Sequence, residues 1–279
     1  MRLGIGSYTY TWAIGVPGHP PPNPMSHLDL LERARELGAE VVQYCDNLPL
    51  TSLSKSDLDI LAGRAADYGI EIEIGARGIG HENIADHLAL AKRFKAKFVR
   101  FVIDQGHDEP SPAEVVDRVK PSMAAFADAG IIFAIENHDR FPVAELAGMI
   151  EALGAEHAGI CLDTVNSFGS LEMPKEVVGM LAPYTVNLHV KDFQITRIPS
   201  QMGFQVTGCA AGSGRLDIPW VLDELKAAGR DVNAIIELWT PFAGSLKETI
   251  AREQEWAEES VRYMRQIATD HVTGETKTE

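Results

Sequence analysis

Eight short apolar runs alternate with helix-like segments from one end of the chain to the other, at 2–8, 40–45, 70–76, 97–103, 131–137, 158–163, 186–191 and 234–239. The runs are near-continuously apolar. Strands read this way when a parallel sheet is covered on both faces. Between them, "SHLDLLERARELG" offers Ser26 as an N-cap and stops at Gly38, and "SKSDLDILAGRAADYG" repeats the design and stops at Gly69. Pro121 is expected to bend or interrupt the fourth helical segment, and the last helix is expected over about 246–267. Repeated β–α units without reversal imply a parallel sheet, and eight is the number that closes it. The expected fold class is α/β: a single (β/α)8 TIM barrel over residues 1–267, followed by a polar tail, 268–279, expected to fray. A doubly wound open sheet competes, but "GIGSYTYTW" lacks the G-x-G-x-x-G turn and the helix that should follow it.

The net charge of −15 argues against a nucleic-acid partner, because phosphate backbones reward a basic face. No apolar run approaches the roughly 18 residues of a membrane span, and the N-terminus shows no charged-then-apolar leader pattern. Cysteines 45, 161 and 209 are odd in number and not at metal-finger spacing. They read as reduced packing residues of a cytoplasmic protein.

Two connections are long. "TWAIGVPGHPPPNPM" is rich in Pro and Gly and is expected to be rigid rather than helical. The segment from Phe193 to about Leu216 combines glycine hinges with Met202 and Phe204 and is a candidate lid; its "GCAAGSG" loosely matches a phosphate cradle.

Four of the runs finish on a ligand-type side chain: "IIFAIENH" on Glu136, "AGICLD" on Asp163, "VNLHVKD" on His189 and "AIIELW" on Glu237. In a closed barrel the carboxyl ends of the strands ring one mouth. Three carboxylates and one imidazole would then converge, and their mutual repulsion and desolvation favour one divalent cation among them. The oxygen-rich set suits Mn²⁺ first, then Mg²⁺; the imidazole keeps Co²⁺ and Zn²⁺ open. Taken singly, each residue has a plainer explanation. Asp163 could form a turn, His189 could be a hydrogen-bonded core residue, and Glu136 could pair with Arg140. The repetition on four consecutive strands is what favours the metal.

The segments "AIENH", "ICLDTVN", "NLHVKDF" with "GSGRLDIPWVLDEL" after it, and "AIIELW" resemble in order the strand-five to strand-eight signatures of the xylose isomerase-like superfamily of sugar isomerases and epimerases. That superfamily shares its barrel with AP endonuclease family 2. The resemblance covers nearly the whole chain and is specific in the last four strands. It implies Glu136, Asp163, His189 and Glu237 as metal ligands, with Glu136 and Glu237 also serving as an acid–base pair, as in the epimerase members. It also implies a homo-oligomer as an open expectation, since such barrels are often dimers or tetramers. One position departs. Many ketose epimerases read Asp-x-x-His on strand six, and here the last residue is Asn166, which can hydrogen-bond a hydroxyl but cannot carry a proton.

A metal-polarised carbonyl flanked by two carboxylates supports isomerisation or epimerisation of a small keto-sugar, the preferred expectation. The alternative is decarboxylation of a 3-oxo sugar acid through the same enediolate chemistry. That reaction needs an electron sink more than a base, and a cation for the carboxylate; Arg140, Lys191, Arg197 and Arg215 are candidates. An abasic-site endonuclease would need many more histidines at strand ends, and a non-catalytic sugar-binding barrel would not need the four-residue set. Tyr8 and Trp12, just past the first strand, are expected to wall the pocket, with Asn166 and His138 touching substrate. Glu73 and Arg100 could lie inside the lower barrel as a buried pair rather than at the mouth, and they are left out of the candidate site.

Overall fold

The structure is a computed structural model that describes residues 1–273. Eight strands close into one parallel barrel: β1 (Leu3–Gly6), β2 (Val41–Tyr44), β3 (Glu71–Arg77), β4 (Phe98–Val102), β5 (Ile132–Glu136), β6 (Ala158–Asp163), β7 (Thr185–Val190) and β10 (Asn233–Ile236). They neighbour one another in chain order, and β10 pairs with β1 to complete the ring. Two further strands, β8 (Asp192–Arg197) and β9 (Phe204–Cys209), form a separate antiparallel hairpin inside the connection after β7.

The helices start and stop for local reasons. Helix α2 (His27–Leu37) opens on a capping box: the Asp29 N–H donates to the Ser26 hydroxyl, and the Ser26 N–H donates back to the Asp29 carboxylate at 2.8 Å. It ends at Gly38, whose φ of 65° lies in the left-handed region. Helix α3 (Lys55–Tyr68) ends the same way at Gly69. Pro121 does interrupt its helix: α5 (Pro112–Val119) and α6 (Met123–Ala129) are separated by a short 3-10 turn, Lys120–Ser122. The Pro-rich first connection contains one helical turn, α1 (Thr11–Ile14), contrary to the expectation of no helix there. The last helix, α10, runs Leu246–Thr273 and so continues through the first six residues of the expected tail; 274–279 lie outside the described residues.

Burial explains the apolar runs. On β3, Ile72 and Ile74 face the surrounding helices while Glu73 between them faces the barrel interior, so both sides of the strand are covered. Phe101 of β4 stacks on Phe133 of β5 with ring centroids 4.5 Å apart, and Phe126 of α6 meets Phe133 edge-on. Each such fully buried side chain contributes about 1.5–3 kcal/mol relative to exposure. β1 approaches its neighbours closely at Gly4, where a Cβ would meet the Val41 carbonyl oxygen at 2.8 Å, so no larger residue fits without a backbone shift.

Candidate active site

Strand pairing brings the four strand-end residues together. Asp163 and His189 are direct register partners on β6 and β7, His189 is opposite Ile235 on β10, and Glu136 is opposite Cys161. Glu237 follows β10 immediately, its N–H donating to the Val190 carbonyl. All four are buried. His189 Nδ1 lies 3.3 Å from Glu237 Oε1, 3.7 Å from Glu136 Oε2 and 3.8 Å from Asp163 Oδ2.

Local bonding aims these atoms inward. Asp163 Oδ1 accepts the N–H groups of Val165 and Asn166, both at 2.9 Å, which leaves Oδ2 for the cluster. The turn-forming role and the cluster role thus belong to different oxygens of one carboxylate. Asn137 ties β5 to β6, accepting from the Asp163 N–H and donating to the Asp163 carbonyl. Glu136 Oε2, Asp163 Oδ2, His189 Nδ1 and Glu237 Oε1 are buried and make no hydrogen bond. Lys191 and Arg100 meet Asp163 Oδ2 and Glu136 Oε2 as ion pairs, which leaves Glu237 Oε1 and His189 Nδ1 as the two atoms that a cation between them would satisfy. Asp163, His189 and Glu237 can each direct a ligand atom to within 4.8 Å of the others', and Glu136 forms a second such group with Cys161 and the same His189. The residues therefore fit a divalent cation.

Two basic side chains also enter the cluster. Lys191 Nζ lies 2.8 Å from both Asp163 Oδ2 and Glu237 Oε2, and 3.3 Å from Asn166 Oδ1. Burial alone would depress the Lys191 pKa, but the facing carboxylates of Asp163, Glu237 and Glu136 outweigh it and hold the ammonium protonated. Arg100 of β4 places Nε against Glu136 Oε2. Burial pushes Glu136 upward, yet Arg100 first, then His189 and Lys191, hold its carboxyl well below the usual carboxylate range. Asn166 donates to the other oxygen, Glu136 Oε1, at 2.7 Å. Both oxygens of Glu136 are therefore engaged by positive or donor groups.

The cluster forms the floor of a cavity of about 530 Å³. Trp12, Val16, Leu238 and Trp239 give the lining its aromatic and apolar part, and Arg77, His138 and Asp139 are among its polar residues. The Trp12 indole donates to the Thr240 carbonyl at 2.8 Å, and the buried Glu253 of α10 accepts the backbone N–H groups of Trp12 and Ala13. Tyr8 also lines the cavity and donates to Asp46, the partner of Arg77.

Of the residues singled out in the sequence, Glu136, Asp163, His189, Glu237, Asn166, His138, Lys191, Tyr8 and Trp12 do meet here. Arg140 and Arg197 do not. Arg140 is drawn to Asp104, with Nη2–Oδ1 at 2.6 Å, and covers the Phe141 ring. Arg197 sits at the far end of the hairpin over Phe204 and donates to the Gln201 carbonyl. Glu136 pairs with Arg100 rather than Arg140. Arg100 and Glu73 are not partners: Glu73 accepts from Gln43, Asn187 and Asn233 below the mouth. Arg100, weighed as a low-barrel partner of Glu73, lines the cavity instead, and Arg77 and Gln43 are neighbours that the sequence did not single out; only the inward face of the strand distinguishes them, and that face is not readable from an apolar run.

The long connection after β7 is also resolved differently. It forms the β8–β9 hairpin, and among the described residues no member of 193–216 lines the cavity. Its glycine-rich turn is already occupied. Asp192 Oδ2 accepts the N–H groups of Gly212 and Gly214, and Oδ1 those of Phe193 and Leu216. The chain's own carboxylate fills the cradle considered for phosphate. Cys45, Cys161 and Cys209 are free and buried, and among the described residues no helix is long and apolar enough to cross a membrane.

Comparison with known proteins agrees with this architecture. The family described as xylose isomerase-like TIM barrel matches residues 31–267. A 3-oxo-isoapionate decarboxylase from Pectobacterium atrosepticum is 30% identical over 264 residues, covering 95% of each chain. A D-psicose 3-epimerase, solved in the presence of D-fructose, superimposes with a TM-score of 0.70 at 15% identity, covering 96% of this chain and 99% of that one. A xylose isomerase-like barrel from Mycobacterium smegmatis, solved with magnesium, gives a TM-score of 0.66 at 16% identity over 94% and 97% of the two chains. With its closed eight-stranded barrel and this match over most of its length, the chain belongs to the xylose isomerase-like TIM barrel family.

Proposed function

We propose that this protein is a divalent-metal-dependent decarboxylase of a small 3-oxo sugar acid. The observation that carries the reading is the engagement of Glu136 by Arg100 and Asn166. Epimerisation needs two carboxylates that alternately accept and return a proton at one carbon. A carboxylate held between a guanidinium and an amide is a poor proton acceptor. Loss of CO₂ needs no such base.

Arg77 and Lys191 line the cavity and offer cations to a substrate carboxylate. The 30% identical relative carries the name of a decarboxylase of such an acid, in keeping with this reading.

Glu136, Asp163, His189 and Glu237 would hold the ion, and the chemistry it supplies is Lewis acidity towards the ketone oxygen. The protein's own groups do the rest. The aromatic wall of Trp12 and Trp239 packs the carbon skeleton and keeps water off it, while Asn166 and His138 bond hydroxyls. As the C1–C2 bond breaks, its electrons pass into the C2–C3 bond and onto the ketone oxygen, CO₂ departs, and C2 must take one proton. Lys191 holds that proton at Nζ, beside the reacting region.

The test is a CO₂-coupled assay of metal-loaded protein on 3-oxo sugar acids, run beside ketoses in D₂O. One CO₂ released per acid consumed supports the reading. Deuterium exchange into ketoses without CO₂ from any acid would return the site to isomerisation.

A further inference from the structure

We propose that Glu73 and Gln43, buried in the barrel below the mouth, fix the tautomer of His189 so that its Nδ1 lone pair faces the three carboxylates. The inference rests on the metal reading of the site and is independent of which reaction follows.

The hydrogen bonds inside the barrel leave one arrangement. Three N–H donors converge on the Glu73 carboxylate: Gln43 Nε2 at 3.1 Å and Asn187 Nδ2 at 3.1 Å on Oε2, and Asn233 Nδ2 at 2.7 Å on Oε1. Burial pushes the Glu73 carboxyl up to about 7, and the donors from Asn233 and Gln43 oppose it; three donors on two oxygens favour the carboxylate form. The second Gln43 N–H goes to Asn187 Oδ1 at 3.0 Å. The remaining Asn187 N–H goes to the Asn233 carbonyl; Cys161 Sγ lies 3.4 Å from Asn187 Oδ1, to which its thiol donates, and 3.2 Å from His189 Nε2, where its sulfur is left to accept. Both hydrogens of the Gln43 amide are thus committed to oxygens, and the amide cannot flip without setting donor against donor.

Gln43 must therefore present Oε1 to His189, and Oε1 lies 2.8 Å from His189 Nε2. An amide oxygen accepts only, so Nε2 carries the hydrogen. The neutral ring then has its lone pair on Nδ1, the atom nearest Glu237, Glu136 and Asp163. Gln43 comes from β2 and His189 from β7, strands that do not pair, so the link crosses the barrel interior. Glu73 never touches the metal cluster. It acts through Gln43 and is a positioning residue.

The test compares Mn²⁺ titrations of metal-stripped wild type, Gln43→Leu, Glu73→Gln and Asn233→Ala, with the thermal midpoint of each variant. Long-range ¹H–¹⁵N spectra of the Mg²⁺-loaded protein read the His189 tautomer. Gln43→Leu and Glu73→Gln are expected to weaken Mn²⁺ binding about 10–100-fold, with Nε2 protonated in wild type. Asn233→Ala removes a donor to the same carboxylate but leaves Gln43 in place, and is expected to bind within about twofold of wild type whatever its midpoint. Equal affinities in all four proteins, losses that simply follow the thermal midpoints, or a hydrogen on Nδ1 would overturn the proposal. A wild-type titration with no binding would overturn the metal reading and this one with it, whereas binding in wild type with unchanged variants overturns this one alone.

Discussion

Arg100 and Glu136, on the adjacent strands β4 and β5, form a buried ion pair at the inner rim of the barrel, with the guanidinium Nε against the carboxylate Oε2. Removing one partner of a buried pair strands the other charge. Arg100→Met is therefore expected to cost about 3–5 kcal/mol of unfolding free energy, and the double variant Arg100→Met/Glu136→Leu to recover much of it. Denaturant unfolding of the three proteins checks this; equal stability of the single and double variants would contradict it.

Lys191 separates charge compensation from chemistry. Lys191→Met removes the ammonium from beside Asp163 and Glu237, leaving the acidic cluster less compensated. Metal affinity should stay the same or tighten, while the rate of CO₂ release falls at least about 100-fold, the range for losing a positioned proton donor. Calorimetric titration and the CO₂ assay read the two effects independently. Parallel losses in both would place Lys191 in scaffolding instead.

Asp192 tests the self-filled turn. Its two oxygens accept four backbone N–H groups that join the hairpin to α9 (Ile218–Ala227). Asp192→Ala should cost about 3 kcal/mol or more, since hydrogen bonds to a charged acceptor are worth about 1.5–3 kcal/mol each before relaxation. Asp192→Asn, which keeps one oxygen acceptor, should lose less. A thermal midpoint series over the two variants checks the order.

Glu253 gives the stability a pH signature. Burial pushes its carboxyl up to about 7, opposed in part by the N–H groups of Trp12 and Ala13. The folded-state pKa is then above the unfolded value, so the folded protein binds this proton more tightly than the unfolded chain does. Its contribution favours folding at low pH and is lost as pH rises from 4.5 to about 7. Glu253→Gln cannot ionise. The stability of wild type relative to that variant should fall by up to about 3 kcal/mol across that interval and be level on either side. Denaturant unfolding of both proteins at a series of pH values measures the difference, and a rise across the interval would contradict the assignment.

The barrel was legible because its strands are covered on both faces, and eight apolar runs between capped helices leave few other arrangements. The four strand-end residues were legible for the same reason: a charged side chain at the close of an apolar run stands out. The hairpin was not. Its strands "FQITR" and "FQVTG" do alternate, but they lie among Gly, Pro and Ser and read as loop. Arg100 and Gln43 sit within apolar runs, where nothing local says which side chains point inward. The arginines Arg140 and Arg197 matched the required chemistry by type, yet each found a nearer partner, Asp104 for one and the hairpin itself for the other.

The account depends most on Glu136, Asp163, His189 and Glu237 gathering one divalent ion. The direct measurement is an anomalous-difference map from crystals grown with Mn²⁺. A single strong peak is predicted within about 2.5 Å of Asp163, His189 Nδ1 and Glu237, with Glu136 on its fourth side. A map with no peak there, or with the peak elsewhere on the protein, would contradict it.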